Sequence, residues 1–251
     1  MTRALEVHPG TDEVADAAAE LVTDRIQKAA SQESPFVLGL ATGSTMKPIF
    51  SRLVDQHQGG GLSFAGVEIF HLDEYWPPRA DDPAGFAASL DALLVGQIDL
   101  APGAFHPFPA GVEEDETANA CAAYRASIAS RGGVDLQLVG IGTNGHLAFN
   151  EPGSGRDSRA RKVELNPETL ARMPEGVDYH QALTLGIADI LDSKALLFVA
   201  TGGEKAEAVR RTLEEAPSAD CPASFLQDHP STTWLLDAAA ASLLQSGESQ
   251  D

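Results

Sequence analysis

Cysteine and positive charge are what this chain has least of. Its two cysteines, Cys121 and Cys221, stand far apart with no CxxC spacing, which excludes a disulfide scaffold and a clustered thiolate metal site. Of 251 residues only five are lysine, and 17 Lys and Arg face 37 Asp and Glu for a formal net charge of −20. A field of that sign repels nucleic acid and anionic membranes. Long apolar runs are missing too. Nothing approaches the ~20 residues a membrane helix needs, and the start, Met1-Thr2-Arg3-Ala4-Leu5-Glu6, lacks the apolar centre of a secretory signal. The expectation is a cytoplasmic protein with no nucleic-acid or membrane partner, no metal and no cofactor.

What is present, 43% hydrophobic and 22% charged residues, fits one compact domain over residues 1–251 with a substantial core. Apolar runs at 5–7, 36–40, 67–72, 136–139, 195–199 and 232–236 read as strands. Between them the pattern predicts helices over 11–30, capped by Thr11 or Asp12, and over 84–98, 113–130, 182–191 and 238–244, with 102–109 irregular. Strands alternating with helices imply an α/β fold with a mostly parallel sheet covered on both faces.

The stretch that organises the chain is 139–152, V-G-I-G-T-N-G-H-L-A-F-N-E-P, directly after a buried-strand pattern. Ligands of open α/β sheets bind beyond the carboxyl ends of strands, and Gly140, Gly142 and Gly145 would let the backbone approach one closely. His146 and Glu151 follow within one short segment, so an imidazole and a carboxylate can share a cleft; the plainer reading is a glycine-rich turn with a satisfied histidine. The same stretch matches G-x-G-x-x-G, but the dinucleotide-binding version belongs to a chain's first βα turn, and this one lies past the middle.

Three other places carry chemistry. Thr42, Gly43, Ser44 and Thr45 form a small hydroxylated turn between a strand and a helix, where unpaired backbone N–H groups and hydroxyls suit an anion; a plain capped turn is the alternative. Asp73 and Glu74 end a strand. Burial beside a substrate would raise the Asp73 carboxyl and let it take a proton from carbon, although acids there also cap the next element. Lys205 follows Gly202-Gly203 at a helix start, within reach of an anion held there, or merely exposed. The basic run S-G-R-D-S-R-A-R-K at 154–162 offers an anion site or a solvated loop.

The segment G-T-N-G-H-L-A-F-N-E-P resembles the signature of the glucosamine-6-phosphate deaminase (isomerase) family. Five further segments agree in order: L-G-L-A-T-G-S-T at 38–45, H-L-D-E-Y at 71–75, A-L-T-L-G-I at 182–187, A-T-G-G-E-K-A-E-A-V at 200–209 and P-A-S-F-L-Q-D-H-P at 222–230. The resemblance implies a three-layer α/β/α fold of modified Rossmann type without a dinucleotide. It implies the conversion of glucosamine 6-phosphate and water into fructose 6-phosphate and ammonia. In that scheme His146, supported by Glu151 and by Asn144, opens the sugar ring and Asp73 moves the C2 proton. Thr42, Gly43, Ser44, Thr45, Arg172 and Lys205 hold the phosphate of a sugar-phosphate ligand, in a monomer or a homo-oligomer.

The sequence departs from the family pattern at three places. Asn144 stands where some members carry aspartate; an amide can orient an imidazole but cannot stabilise imidazolium by charge. Ala84-Gly85-Phe86 replaces a Ser-Tyr-His type segment. Val163 replaces a lysine in the run that, in allosteric members, helps bind an effector, which argues against allostery here. The rivals are 6-phosphogluconolactonase, which typically has D-E-R in place of Asp73-Glu74-Tyr75 and lacks the N-E-P that supplies Glu151, and a non-enzymatic sugar-phosphate sensor.

Overall fold

A computed structural model of the protein describes residues 4–30, 35–78, 85–170, 173 and 179–245. Among the described residues the strands are β1 (Ala4–His8), β2 (Phe36–Leu40), β3 (Val67–His71), β4 (Asp73–Trp76), β5 (Phe105–His106), β6 (Leu136–Val139), β7 (Arg161–Glu164), β8 (Gln181–Thr184), β9 (Leu196–Ala200) and β10 (Thr232–Asp237). The α-helices are α1 (Thr11–Ala29), α2 (Met46–Gln58), α3 (Phe86–Leu93), α4 (Thr117–Ser130), α5 (Pro167–Leu170), α6 (Ile187–Leu191) and α7 (Ala206–Glu214).

Seven strands form one sheet in the order β1-β10-β9-β6-β2-β3-β5, every pair parallel. The continuous apolar sequences of β2 and β9 suit this place, since every residue of each is buried between two helical layers. Alternation sorts their side chains. Leu38, Leu40, Ile69, Leu138 and Val199 pack with α1, α2 and α3 on one face. Val37, Phe70, Val139 and Phe198 pack with α4, α6 and α7 on the other. The layers are α/β/α, as the sequence implies.

Neighbouring β2 and β6 lead in opposite directions, β2 on to β3 and β6 toward β9. Their carboxyl ends therefore flank a topological switch point, where a crevice opens. A second sheet, antiparallel in the order β4-β8-β7, lies beyond that end. Leu72 alone separates β3 from β4, and its N–H and C=O bond Leu40 and Leu185, so the chain passes from one sheet into the other at Asp73.

This second sheet corrects the sequence reading. The helix expected over 182–191 is strand β8 followed by the short α6, because Gly186 marks a boundary: a Cβ there would run into the backbone of Ser158. Residues 73–76, read as a strand's end, are a strand of their own. Neither Thr11 nor Asp12 caps α1; Gly10 is the N-cap, and the Thr11 hydroxyl bonds Asp237 instead. The expected 84–98 helix shortens to α3 plus a 3-10 turn, the 102–109 segment contains β5, and 238–244 is turns rather than a helix.

Candidate active site

The turn after β2 sits at the switch point. Gly43 takes φ +117°, which a side chain would strain, and the chain then enters α2 directly after Thr45. Lys205, at the start of α7, reaches across and donates from Nζ to Thr45 Oγ1 at 2.5 Å. Its loop is held by Asp237, whose two carboxylate oxygens accept the Gly202 N–H at 3.1 and 3.0 Å. Burial lowers the Lys205 ammonium from its usual range, against the opposing pull of Glu204 and Asp237. The structure thus joins Thr42, Gly43, Ser44, Thr45 and Lys205 along one wall of a cavity, and Lys205 is not a simple exposed helix residue.

Asp73 enters the same cavity from β4. Removal from water, with a smaller contribution from the neighbouring Glu74 charge, pushes its carboxyl up to about 8. The capping alternative for this pair of acids applies to Glu74. Its carboxylate accepts the N–H groups of Phe86 and Ala87 at the start of α3, at 2.9 and 2.8 Å, and that of Tyr75 at 2.9 Å.

In the loop after β6, the His146 imidazole lies over Gly142, and a Cβ at 142 would overlap the ring. His146 Nδ1 stands 3.5 Å from Glu151 Oε2, an ion-pair separation rather than an aligned hydrogen bond. The close bonds to Glu151 come from Thr169 Oγ1 at 2.5 Å and Asn144 Nδ2 at 2.9 Å. Burial pushes the Glu151 carboxyl up, but His146, Thr169 and Asn144 outweigh it and bring it down to about 2.

Two expectations change here. Asn144 does not touch the imidazole: its amide bonds Glu151 and accepts the His146 backbone N–H at 3.1 Å. The glycines also serve different ends. Gly140 and Gly142 line the cavity, whereas Gly145, at φ +89°, makes room for Cys221, whose Sγ would lie 2.6 Å from an added Cβ.

The cavity measures about 280 Å³. Phe86, Ala148 and Phe149 close one side, with Phe86 stacked on Phe149 and tilted against Tyr75. His146 stands behind Gly142 rather than in the lining itself. A larger depression of about 780 Å³, between α1 and residues 56–61, shares no lining residue with this cavity. Sequence reasoning missed Thr169, and gave no role to Phe86 or Phe149, although both lie in segments it singled out.

Arg172 and Ala84 lie outside the described residues. The run at 154–162 is internally satisfied: Arg156 pairs with Asp228, Arg159 with Asp189 and Asp192, Lys162 with Glu114, and Arg161 bonds Asn150 and Ser154. Val163 is a strand residue paired with Ala182. Among the described residues no cluster of three His, Cys, Asp or Glu could hold a metal, and no helix is long and apolar enough to cross a membrane.

The chain is similar to known proteins along most of its length. A family model described as glucosamine-6-phosphate isomerases/6-phosphogluconolactonase matches residues 9–234. A glucosamine-6-phosphate deaminase of Rhodopirellula baltica is 42% identical over 96% of this chain and 95% of its own. One from Beutenbergia cavernae is 45% identical over 93% and 90%. Among solved structures, a monomeric glucosamine-6-phosphate deaminase superposes with TM-score 0.89 at 36% identity, covering 96% of this chain and 99% of that one. The 6-phosphogluconolactonase of Trypanosoma brucei, at TM-score 0.79 but 24% identity over 97% and 99%, shares the fold. By sequence and by architecture, the chain belongs to the glucosamine-6-phosphate isomerase/6-phosphogluconolactonase family.

Proposed function

We propose that the protein converts glucosamine 6-phosphate and water into fructose 6-phosphate and ammonia. The observation that carries this reading is one buried carboxyl, Asp73, raised to about 8 and opening into the same cavity as the hydroxyl turn and Lys205. A proton-transfer group near its working pH, facing a phosphate-sized cationic cradle, suits carbon-acid chemistry on a sugar phosphate. The deaminase names of relatives at 42% and 45% identity point to the amino sugar.

In this scheme the phosphate lies against Thr42, Gly43, Ser44, Thr45 and Lys205, with Arg172 added by resemblance. His146, oriented by Glu151, carries a proton from the C1 hydroxyl to the ring oxygen and opens the ring. Asn144 and Thr169 fix the Glu151 carboxylate that faces the imidazole. Asp73 takes the proton from C2 and returns it to C1. A second proton passes from the amine to the C1 oxygen, which leaves a hydroxyl at C1 and an imine at C2 that water hydrolyses to the ketone and ammonia. Every step is a proton transfer or a hydrolysis, so none calls for a cofactor. We read the enzyme as cytoplasmic, since a charged sugar phosphate does not cross a bilayer unaided.

The test is ammonia release by purified protein from glucosamine 6-phosphate and from its galacto epimer. Rapid 6-phosphogluconolactone hydrolysis without ammonia from either would make it a lactonase; binding without turnover of any of the three would make it a sensor.

A further inference from the structure

Glu74 is buried, does not line the cavity, and has its carboxylate committed to three backbone N–H groups. Two of those belong to the first turn of α3, whose own N-cap, Gly85, offers no side chain. One residue before Glu74 is Asp73, and the first residue of α3 is Phe86; both face the cavity. No other side-chain bond to the first turn of α3 is present among the described residues.

We propose that Glu74 is a positioning residue: its carboxylate clamps α3 to β4, so that the Phe86 wall and the Asp73 carboxyl are set as one rigid piece. This rests on the role given to Asp73 above. Consecutive strand residues point to opposite sides, so Glu74 anchors the helix from behind while Asp73 faces the substrate. A carboxylate meets two helix N-terminal amides with both oxygens at once, whereas a neutral amide offers only one acceptor and sets an N–H against an N–H. Its charge also acts on Asp73. Among the described residues, the other titratable groups facing Asp73 are Tyr124 from α4 and Lys205 across the cavity; the strand paired with it, β8, presents Thr184.

Two variants separate clamp from charge. Glu74→Asp keeps the charge but is one methylene short of α3; kcat should fall roughly ten- to a hundredfold, with KM near wild type and the Asp73 titration unmoved. Glu74→Gln keeps the length but loses the charge; the Asp73 carboxyl, followed by NMR in ¹³C-labelled protein, should titrate roughly one pH unit lower. A merely structural role would lower stability without moving that titration. Wild-type kcat in Glu74→Asp, or an unmoved Asp73 titration in Glu74→Gln, overturns the proposal. If Glu74→Gln does not fold, kcat of Glu74→Asp decides alone. Absence of ammonia release by the wild type would instead remove the role of Asp73, which the titration, independent of turnover, keeps distinct.

Discussion

Replacing Asp73 by asparagine should remove activity and raise stability together. The folded-state carboxyl titrates at about 8 against an ordinary value of 3.8. Because the folded value is the higher, the proton-linked stability is full below pH 3.8 and lost as pH rises through 8. The difference of 8 − 3.8, about 4 pH units at 1.36 kcal/mol each, sets a ceiling of about 6 kcal/mol on what the wild type loses across that window. An amide has no charge to bury but keeps its own desolvation cost, so a net gain of about 1–3 kcal/mol at pH 8 is expected. For a chain of this size that is roughly 2–12 °C in Tm. The assay is thermal melting of both proteins from pH 4.5 to 8.5, read as the difference between the curves, since all other carboxylates are common to both. The gap should widen with pH. In the same preparation ammonia release should fall at least ~10²-fold, because an amide cannot accept the C2 proton, and wild-type kcat at saturating substrate should rise with pH as Asp73 ionises from its raised value. Parallel melting curves, or a variant less stable than wild type at pH 8, would refute the buried-charge argument; near-normal ammonia release would refute the assignment of the base.

Lys205→Ala should raise KM by roughly ten- to a hundredfold with little change in kcat, since a phosphate contact remote from C2 is made equally in ground and transition states; steady-state kinetics showing the reverse split would refute the cradle. Gly142→Ala should displace the His146 ring, lowering kcat while leaving fructose 6-phosphate binding by calorimetry near wild type; unchanged kcat would show that the ring's place over Gly142 is immaterial. N-acetylglucosamine 6-phosphate should not activate, because the basic run is already paired within the chain and Val163 is a strand residue; a sigmoidal rate curve made hyperbolic by that compound would count against this.

The main sheet, apart from its two-residue edge strand β5, was legible because its strands are short apolar runs bounded by glycine or polar residues, as at 36–40 and 136–139. The second sheet was not. Gln181–Thr184 carries the same residue types as a buried helix, and only pairing with β4 and β7, set by tertiary contact, makes it a strand. The hydroxyl turn and Lys205 could be placed because strand, turn and helix follow one another locally. Thr169 could not: it reaches Glu151 across 18 residues through α5, and nothing in P-E-T-L marks a partner. The role of Asn144 was misjudged for a related reason. The aspartate that some family members carry at this position suggested an amide orienting the imidazole, whereas the turn at Gly145 sends the amide to Glu151 and to the backbone instead.

The charge of the whole chain gives the raised Asp73 carboxyl a second meaning. At a net charge of −20 the protein opposes the approach of any anion, and Lys205 is the one cation lining the cavity among the described residues. An ordinary aspartate in the same lining would add a negative charge opposed to a phosphate. With burial holding the carboxyl up to about 8, Asp73 adds little negative charge to the cavity near neutral pH. The same burial that makes Asp73 a strong enough base for carbon keeps it mostly protonated below pH 8, so affinity for the sugar phosphate and readiness of the base are opposed through one group.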